Sequence, residues 1–250
     1  MATVSPVRTK NEFSCKMCKG SPPLSTLLLS FLTSTTRWLS MFRFPFITVL
    51  RCFCILAGLL LATAAQASGK ILVLGDSLSA GYGIAQESAW PALLEKRLQQ
   101  KQFDYKVINA SISGETLGGG RSRLAGALAR QSPQIVIIAL GSNDGLRGLP
   151  ISTLRENLLA MIDTAQQAQA RVLLIGQRLP PNYGAYASEF QQIFGEVAKA
   201  RKTAFVDFLL AEIATRRELF QADNLHPTAE AQPILLDTVW KGLAPLLVKQ

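Results

Sequence analysis

Beyond residue 67 this 250-residue sequence has no cysteine, and its whole length holds a single histidine, His226. The later region therefore has no thiol nucleophile, no disulfide framework and no Cys/His set for a zinc site. All four cysteines, Cys15, Cys18, Cys52 and Cys54, lie earlier. Cys15 and Cys18 form a lone C-x-x-C without a second pair or a nearby histidine, too little for four-coordinate zinc. A basic surplus is missing as well. The formal net charge is +9, yet residues 1–67 carry seven basic side chains and one acidic, leaving 19 basic against 16 acidic in 68–250. No Lys/Arg stripe with interleaved aromatics follows, so nucleic acid is not an expected partner. Gly118-Gly119-Gly120-Arg121 lacks the Gly-Lys-Ser/Thr ending of a phosphate loop, and no Gly-x-Gly-x-x-Gly follows the first apolar run. No Gly-x-Ser-x-Gly elbow is present beyond residue 67, which argues against the α/β-hydrolase fold. No metal or cofactor is expected.

The early region has the pattern of an export signal. From Met41 the chain has basic Arg43 and Arg51, an apolar run over 52–64, and Ala65-Gln66-Ala67. Small residues in that A-x-A spacing predict cleavage before Ser68. The apolar run falls short of the ~20 residues that span a bilayer. The expected organisation is an upstream extension over 1–40, a signal peptide over 41–67 and one domain over 68–250, placing the mature protein in the periplasm or outside the cell.

Within 68–250 short apolar runs alternate with helical patterns. Strands are expected at 70–75, 105–109, 134–140, 171–176 and 204–207, and helices near 87–101, 119–132, 152–168, 185–201, 209–216 and 228–247. Five strands joined by crossover helices predict an α/β fold with a doubly wound parallel sheet. In such a sheet ligands bind at the carboxyl ends of the strands.

The informative residues follow those ends. Ile71-Leu72-Val73-Leu74 runs into Gly75-Asp76-Ser77, which places Ser77 at the crevice. Taken alone, the same residues make an ordinary turn and helix cap. Asn109 to Thr116 follows the second strand and contains Gly114; Gly141-Ser142-Asn143-Asp144-Gly145 follows the third. Asp223-Asn224-Leu225-His226-Pro227 precedes the last helix. A carboxylate three residues before a histidine reaches its Nδ1 across one turn and leaves Nε2 free to take a proton. A serine hydroxyl needs such a base before it attacks. Ser77, His226 and Asp223 are the expected nucleophile, base and orienting carboxylate. The backbone N–H groups of Ser77 and Gly114 and the side chain of Asn143 are the expected oxyanion donors.

These four segments, in this order, resemble the SGNH, or GDSL-type, hydrolase family. Its signature residues match Ser77 in Gly-Asp-Ser-Leu, Gly114, Asn143 in Gly-Ser-Asn-Asp and His226 in Asp-x-x-His. Further stretches, among them Ala89-Trp90-Pro91-Ala92-Leu93-Leu94 and Arg178-Leu179-Pro180-Pro181-Asn182-Tyr183-Gly184, are similar to the family's multifunctional periplasmic esterases of Gram-negative bacteria. The resemblance implies a three-layer α/β/α fold with a five-stranded parallel sheet, and metal-free hydrolysis of small acyl esters and thioesters; a monomer is expected. Membrane lipids enter only as substrates. It also implies an acyl pocket bordered by 144–149 and 179–183, with Asp76, Leu146, Leu179, Pro180 and Tyr183 against the substrate. Two departures stand out: Ser142 where those esterases have a second glycine, and a glycine-rich 117–121, both expected to alter loop mobility and acyl preference. A carbohydrate acetylesterase of the same fold, or a non-catalytic acyl-binding protein, are the competing functions.

Overall fold

The central apolar runs become strands buried on both faces, as crossover connections require. In the computed structural model, which describes residues 68–249, β1 (Gly69–Gly75), β2 (Tyr105–Asn109), β3 (Ile135–Ala139), β4 (Arg171–Ile175) and β5 (Ala204–Val206) form one sheet in the order β2-β1-β3-β4-β5. Every pairing is parallel, with Val73 beside both Asn109 and Ile137. The expected leader and upstream extension lie outside the described residues. Among the described residues, no helix is long and apolar enough to cross a membrane.

Alternate residues of each strand feed opposite cores, as a period of two dictates. Leu72, Leu74, Val136, Ile138 and Leu174 pack on one face against α3 (Leu117–Gln131), α5 (Ile151–Gln167) and α6 (Ala185–Arg201). Ile71, Val73, Ile135, Ile137 and Leu173 pack on the other against α2 (Trp90–Gln100) and α7 (Gln232–Leu243). The helices earn these places by spacing. Leu154, Leu158, Met161, Ile162 and Ala165 bury one stripe of α5; Phe190, Ile193, Phe194 and Val197 bury one stripe of α6. Pro91 sits in the first turn of α2, where its missing N–H costs nothing.

The order of connection reverses between β1 and β3. A crevice opens at such a switch point, outside the carboxyl ends of the two strands. Two short helices start there: α1 (Ser77–Ala80) after β1 and α4 (Ser142–Leu146) after β3. Both segments read as turns from sequence. Gly141, at φ 122°, makes the corner before α4, and a Cβ there would press on the Phe194 ring.

Two expectations need correction. Residues 209–216 form consecutive turns rather than a helix, with one i to i−4 hydrogen bond, from Ala214 N to Leu210 O at 2.9 Å. Burial of Leu209 and Ile213 in the core holds this run of turns in place. The glycine-rich 117–121 is no loop. It opens α3, where Thr116 Oγ1 accepts from Gly119 N at 3.1 Å and Gly120 is buried against Leu140.

Candidate active site

Asp76 stops β1 and caps α1, its Oδ1 accepting from Leu78 N at 3.0 Å. The cap turns Ser77 into the crevice. Ser77 Oγ lies 2.9 Å from His226 Nε2, and His226 Nδ1 lies 2.6 Å from Asp223 Oδ2. With the proton on Nδ1 donated to Asp223, Nε2 is the acceptor facing the serine hydroxyl. Asp223 Oδ1 meanwhile accepts from the backbone N–H groups of Leu225 at 2.9 Å and His226 at 3.0 Å. The His226 backbone N–H first, then the imidazole and the Leu225 N–H, hold the Asp223 carboxyl well below the usual carboxylate range. The carboxylate therefore stays charged at neutral pH.

The histidine loop is fastened to the Ser77 turn by a residue that sequence reading missed. Gln221 Nε2 donates to Tyr82 O at 2.8 Å and to Pro227 O at 3.0 Å, while Gln221 N donates to His226 O at 2.8 Å. Gly83 makes room for it, since a Cβ there would overlap the Gln221 amide oxygen. The Tyr82 ring then lies on the His226 ring, centroids 4.4 Å apart.

On the other flank, Asn143 Nδ2 donates one hydrogen to Glu115 O at 3.0 Å. The amide has a second N–H for a ligand oxygen. The loop bearing Gly114 is braced by the Arg123–Glu115 ion pair at 2.7 Å and by Arg123 Nη2 donating to Ala110 O at 3.0 Å. Asp144 Oδ2 accepts from Leu117 N at 2.9 Å, tying α4 to the start of α3. Burial raises the Asp144 carboxyl above its ordinary range. These couplings set how far Asn143 stands from Gly114.

A cavity of about 640 Å³ opens beside Ser77. Gly114, Asn143, Leu146, Leu179, Pro180 and Asp76 all contribute to its wall. Tyr183, expected against the substrate, is not among the lining residues: its hydroxyl donates to Leu146 O at 3.2 Å and props the loop from behind. The segment after β5 adds Phe208, Leu210, Ala214 and Phe220, a wall not expected from sequence. Among the described residues, no cluster of three or more His, Cys, Asp or Glu is placed to hold a metal ion.

The GDSL-like lipase/acylhydrolase family model matches residues 73–233, spanning every segment just described. The chain belongs to that family. This hydrolase is 47% identical to esterase TesA of Pseudomonas aeruginosa over 190 residues, 76% of this chain and 94% of TesA. It is 39% identical to thioesterase 1/protease 1/lysophospholipase L1 of Escherichia coli K12 over 189 residues, 75% of this chain and 89% of the relative. A crystal structure of TesA superposes with a TM-score of 0.70, covering 71% of this chain and 99% of that one.

Asp76 has a cost for this hydrolase. It is 1% exposed, and its Oδ2 has no hydrogen-bond partner. Burial pushes its carboxyl up to about 6 despite the Leu78 N–H and the nearby His226. Because the folded-state value is raised, this group favours the fold fully below pH ~4, and that contribution is lost as pH rises through about 6. Asp76→Asn keeps an acceptor for Leu78 N without the charge. Relative to wild type, the variant is expected to gain up to about 3 kcal/mol between pH 4 and pH 7. Urea unfolding of both proteins across that range measures it; parallel stability curves would refute the assignment.

Proposed function

We propose that this hydrolase is an exported serine esterase that cleaves acyl esters and thioesters through an acyl-enzyme on Ser77. The single observation that carries the reading is the unbroken Ser77–His226–Asp223 chain opening onto a largely apolar cavity. Binding alone needs no oriented base, which disfavours an acyl-binding protein. Ser77 Oγ attacks the acyl carbon as its proton passes to His226 Nε2. Asp223 holds the imidazole and stabilises its positive charge. The negative charge on the substrate oxygen falls to the Ser77 and Gly114 N–H groups and to the free N–H of Asn143. His226 then gives its proton to the departing alcohol or thiol. A water molecule repeats the sequence in the same geometry and releases the acid.

Leu146, Leu179 and Pro180, with Phe208, Leu210 and Phe220, support an acyl chain of medium length or longer. The A-x-A sequence at Ala65–Ala67 supports delivery to the periplasm or beyond. A p-nitrophenyl ester series from acetate to palmitate, run with palmitoyl-CoA, tests the function. The expected result is an optimum at medium or long chains together with thioester cleavage. Activity confined to acetyl esters would indicate a carbohydrate acetylesterase, and inertness towards every ester would indicate a binding protein.

A further inference from the structure

Two apolar side chains flank His226 and stand open to the cavity. Tyr82 is 52% exposed and Leu225 48%, and both line the cavity wall. The Tyr82 ring lies against the imidazole, and Leu225 is the residue before His226. Neither is loosely held. Tyr82 N donates to Ser77 O at 3.2 Å, and Tyr82 O accepts from Gln221 Nε2 at 2.8 Å, so the backbone is tied on both sides of the ring. Leu225 N donates at 2.9 Å to Asp223 Oδ1, while Oδ2 of the same carboxylate holds the imidazole. A surface fixed in this way loses little freedom when a ligand covers it. Yet about half of each side chain faces water, and the reaction derived above uses neither.

A tetrahedral acyl carbon has four substituents. One is Ser77 Oγ. The oxyanion faces Gly114 and Asn143, and the acyl chain follows the arm of Leu179 and Phe208. The fourth is the alcohol oxygen. Its bond to the acyl carbon breaks with the electron pair going to oxygen, which takes the proton from His226 Nε2 and departs as the neutral alcohol. That oxygen must lie within hydrogen-bond reach of Nε2, so the group behind it comes to rest beside the residues that flank the imidazole.

We propose that Tyr82 and Leu225 form the leaving-group subsite, and that it selects esters of aromatic alcohols over aliphatic ones of equal size. The subsite rests on the esterase function above. An aromatic ring laid against Tyr82 gains offset-stacked or edge-to-face contact that a saturated ring cannot make. Leu225 adds apolar contact that grows with the size of the group and serves both kinds. Tyr82 is thus the residue that reads aromatic character, and Leu225 the one that reads bulk.

The test compares kcat/KM for benzyl, cyclohexylmethyl and methyl hexanoate. The first two alcohols are close in size and acidity, and all three esters form the same hexanoyl-enzyme, so kcat/KM isolates the step in which the alcohol leaves. Wild type is expected to favour the benzyl over the cyclohexylmethyl ester by about 5- to 10-fold. In Tyr82→Leu that ratio is expected to fall towards one, and in Tyr82→Phe to persist. In Leu225→Ala the benzyl and cyclohexylmethyl esters are expected to lose about 3-fold together, relative to the methyl ester. A substitution that merely disturbs His226 slows all three esters alike and leaves every ratio where it was. A wild-type ratio of one or less, or a benzyl preference unchanged in Tyr82→Leu, overturns the subsite and leaves the esterase function standing. An unchanged ratio to the methyl ester in Leu225→Ala overturns the part given to Leu225. Failure to cleave these esters and every p-nitrophenyl ester overturns the esterase function itself.

Discussion

Ser77→Ala is expected to lower ester turnover by about 10⁴- to 10⁶-fold and to leave the protein folded. The size follows from how a triad works: once the nucleophile is gone, His226 and Asp223 have nothing to activate, and only binding and oxyanion donors remain. The fold should survive for local reasons. Ser77 is partly exposed, opens a four-residue helix that alanine also favours, and its hydroxyl reaches His226 at 2.9 Å. Asp76 still caps that helix through the Leu78 N–H. Turnover of p-nitrophenyl hexanoate beside far-UV circular dichroism measures both halves. A variant that kept more than about 1% of wild-type turnover would rule out Ser77 as the nucleophile.

Asn143→Ala carries the second largest effect, a loss of about 10²- to 10³-fold in kcat with KM little changed. Charge builds on the substrate oxygen only as the tetrahedral centre forms, so a donor aimed at that oxygen acts on the transition state more than on the bound ester. The bond from Asn143 Nδ2 to Glu115 O is lost too, at about 1 kcal/mol of stability. Steady-state kinetics separate the two consequences. A rise in KM with kcat intact would show that Asn143 holds the ground state and that the oxyanion is stabilised elsewhere.

The elements that fold by local pattern were legible in the sequence. The apolar runs of β1 to β5 are bounded within about a residue, and α6 spans Ala185–Arg201 as its spacing requires. The Asp223–His226 pair was legible for the same reason, since three residues and one turn fix the contact. Where two structures satisfy one spacing, sequence fails. Leu209 and Ile213 are buried four residues apart, as on a helix, yet a run of turns presents them equally well and turns Leu210 and Ala214 into the cavity. Couplings between distant segments leave no local trace at all. Gln221 meets Tyr82 across 139 residues, and Asp144 meets Leu117 across 27. Each is an ordinary polar residue in a loop until the sheet brings its partner alongside. Tyr183 illustrates the converse: its neighbourhood was right, but its hydroxyl serves Leu146 and not the cavity.

Because β1 runs from Gly69 at one end of the sheet to Gly75 at the other, its seven residues set about 20 Å between its start and the turn bearing Ser77. Cleavage before Ser68 would create a new ammonium group at the far edge. That distance exceeds the ~8 Å over which salt screens charge at physiological strength. A charge created there would therefore leave His226 electrostatically untouched.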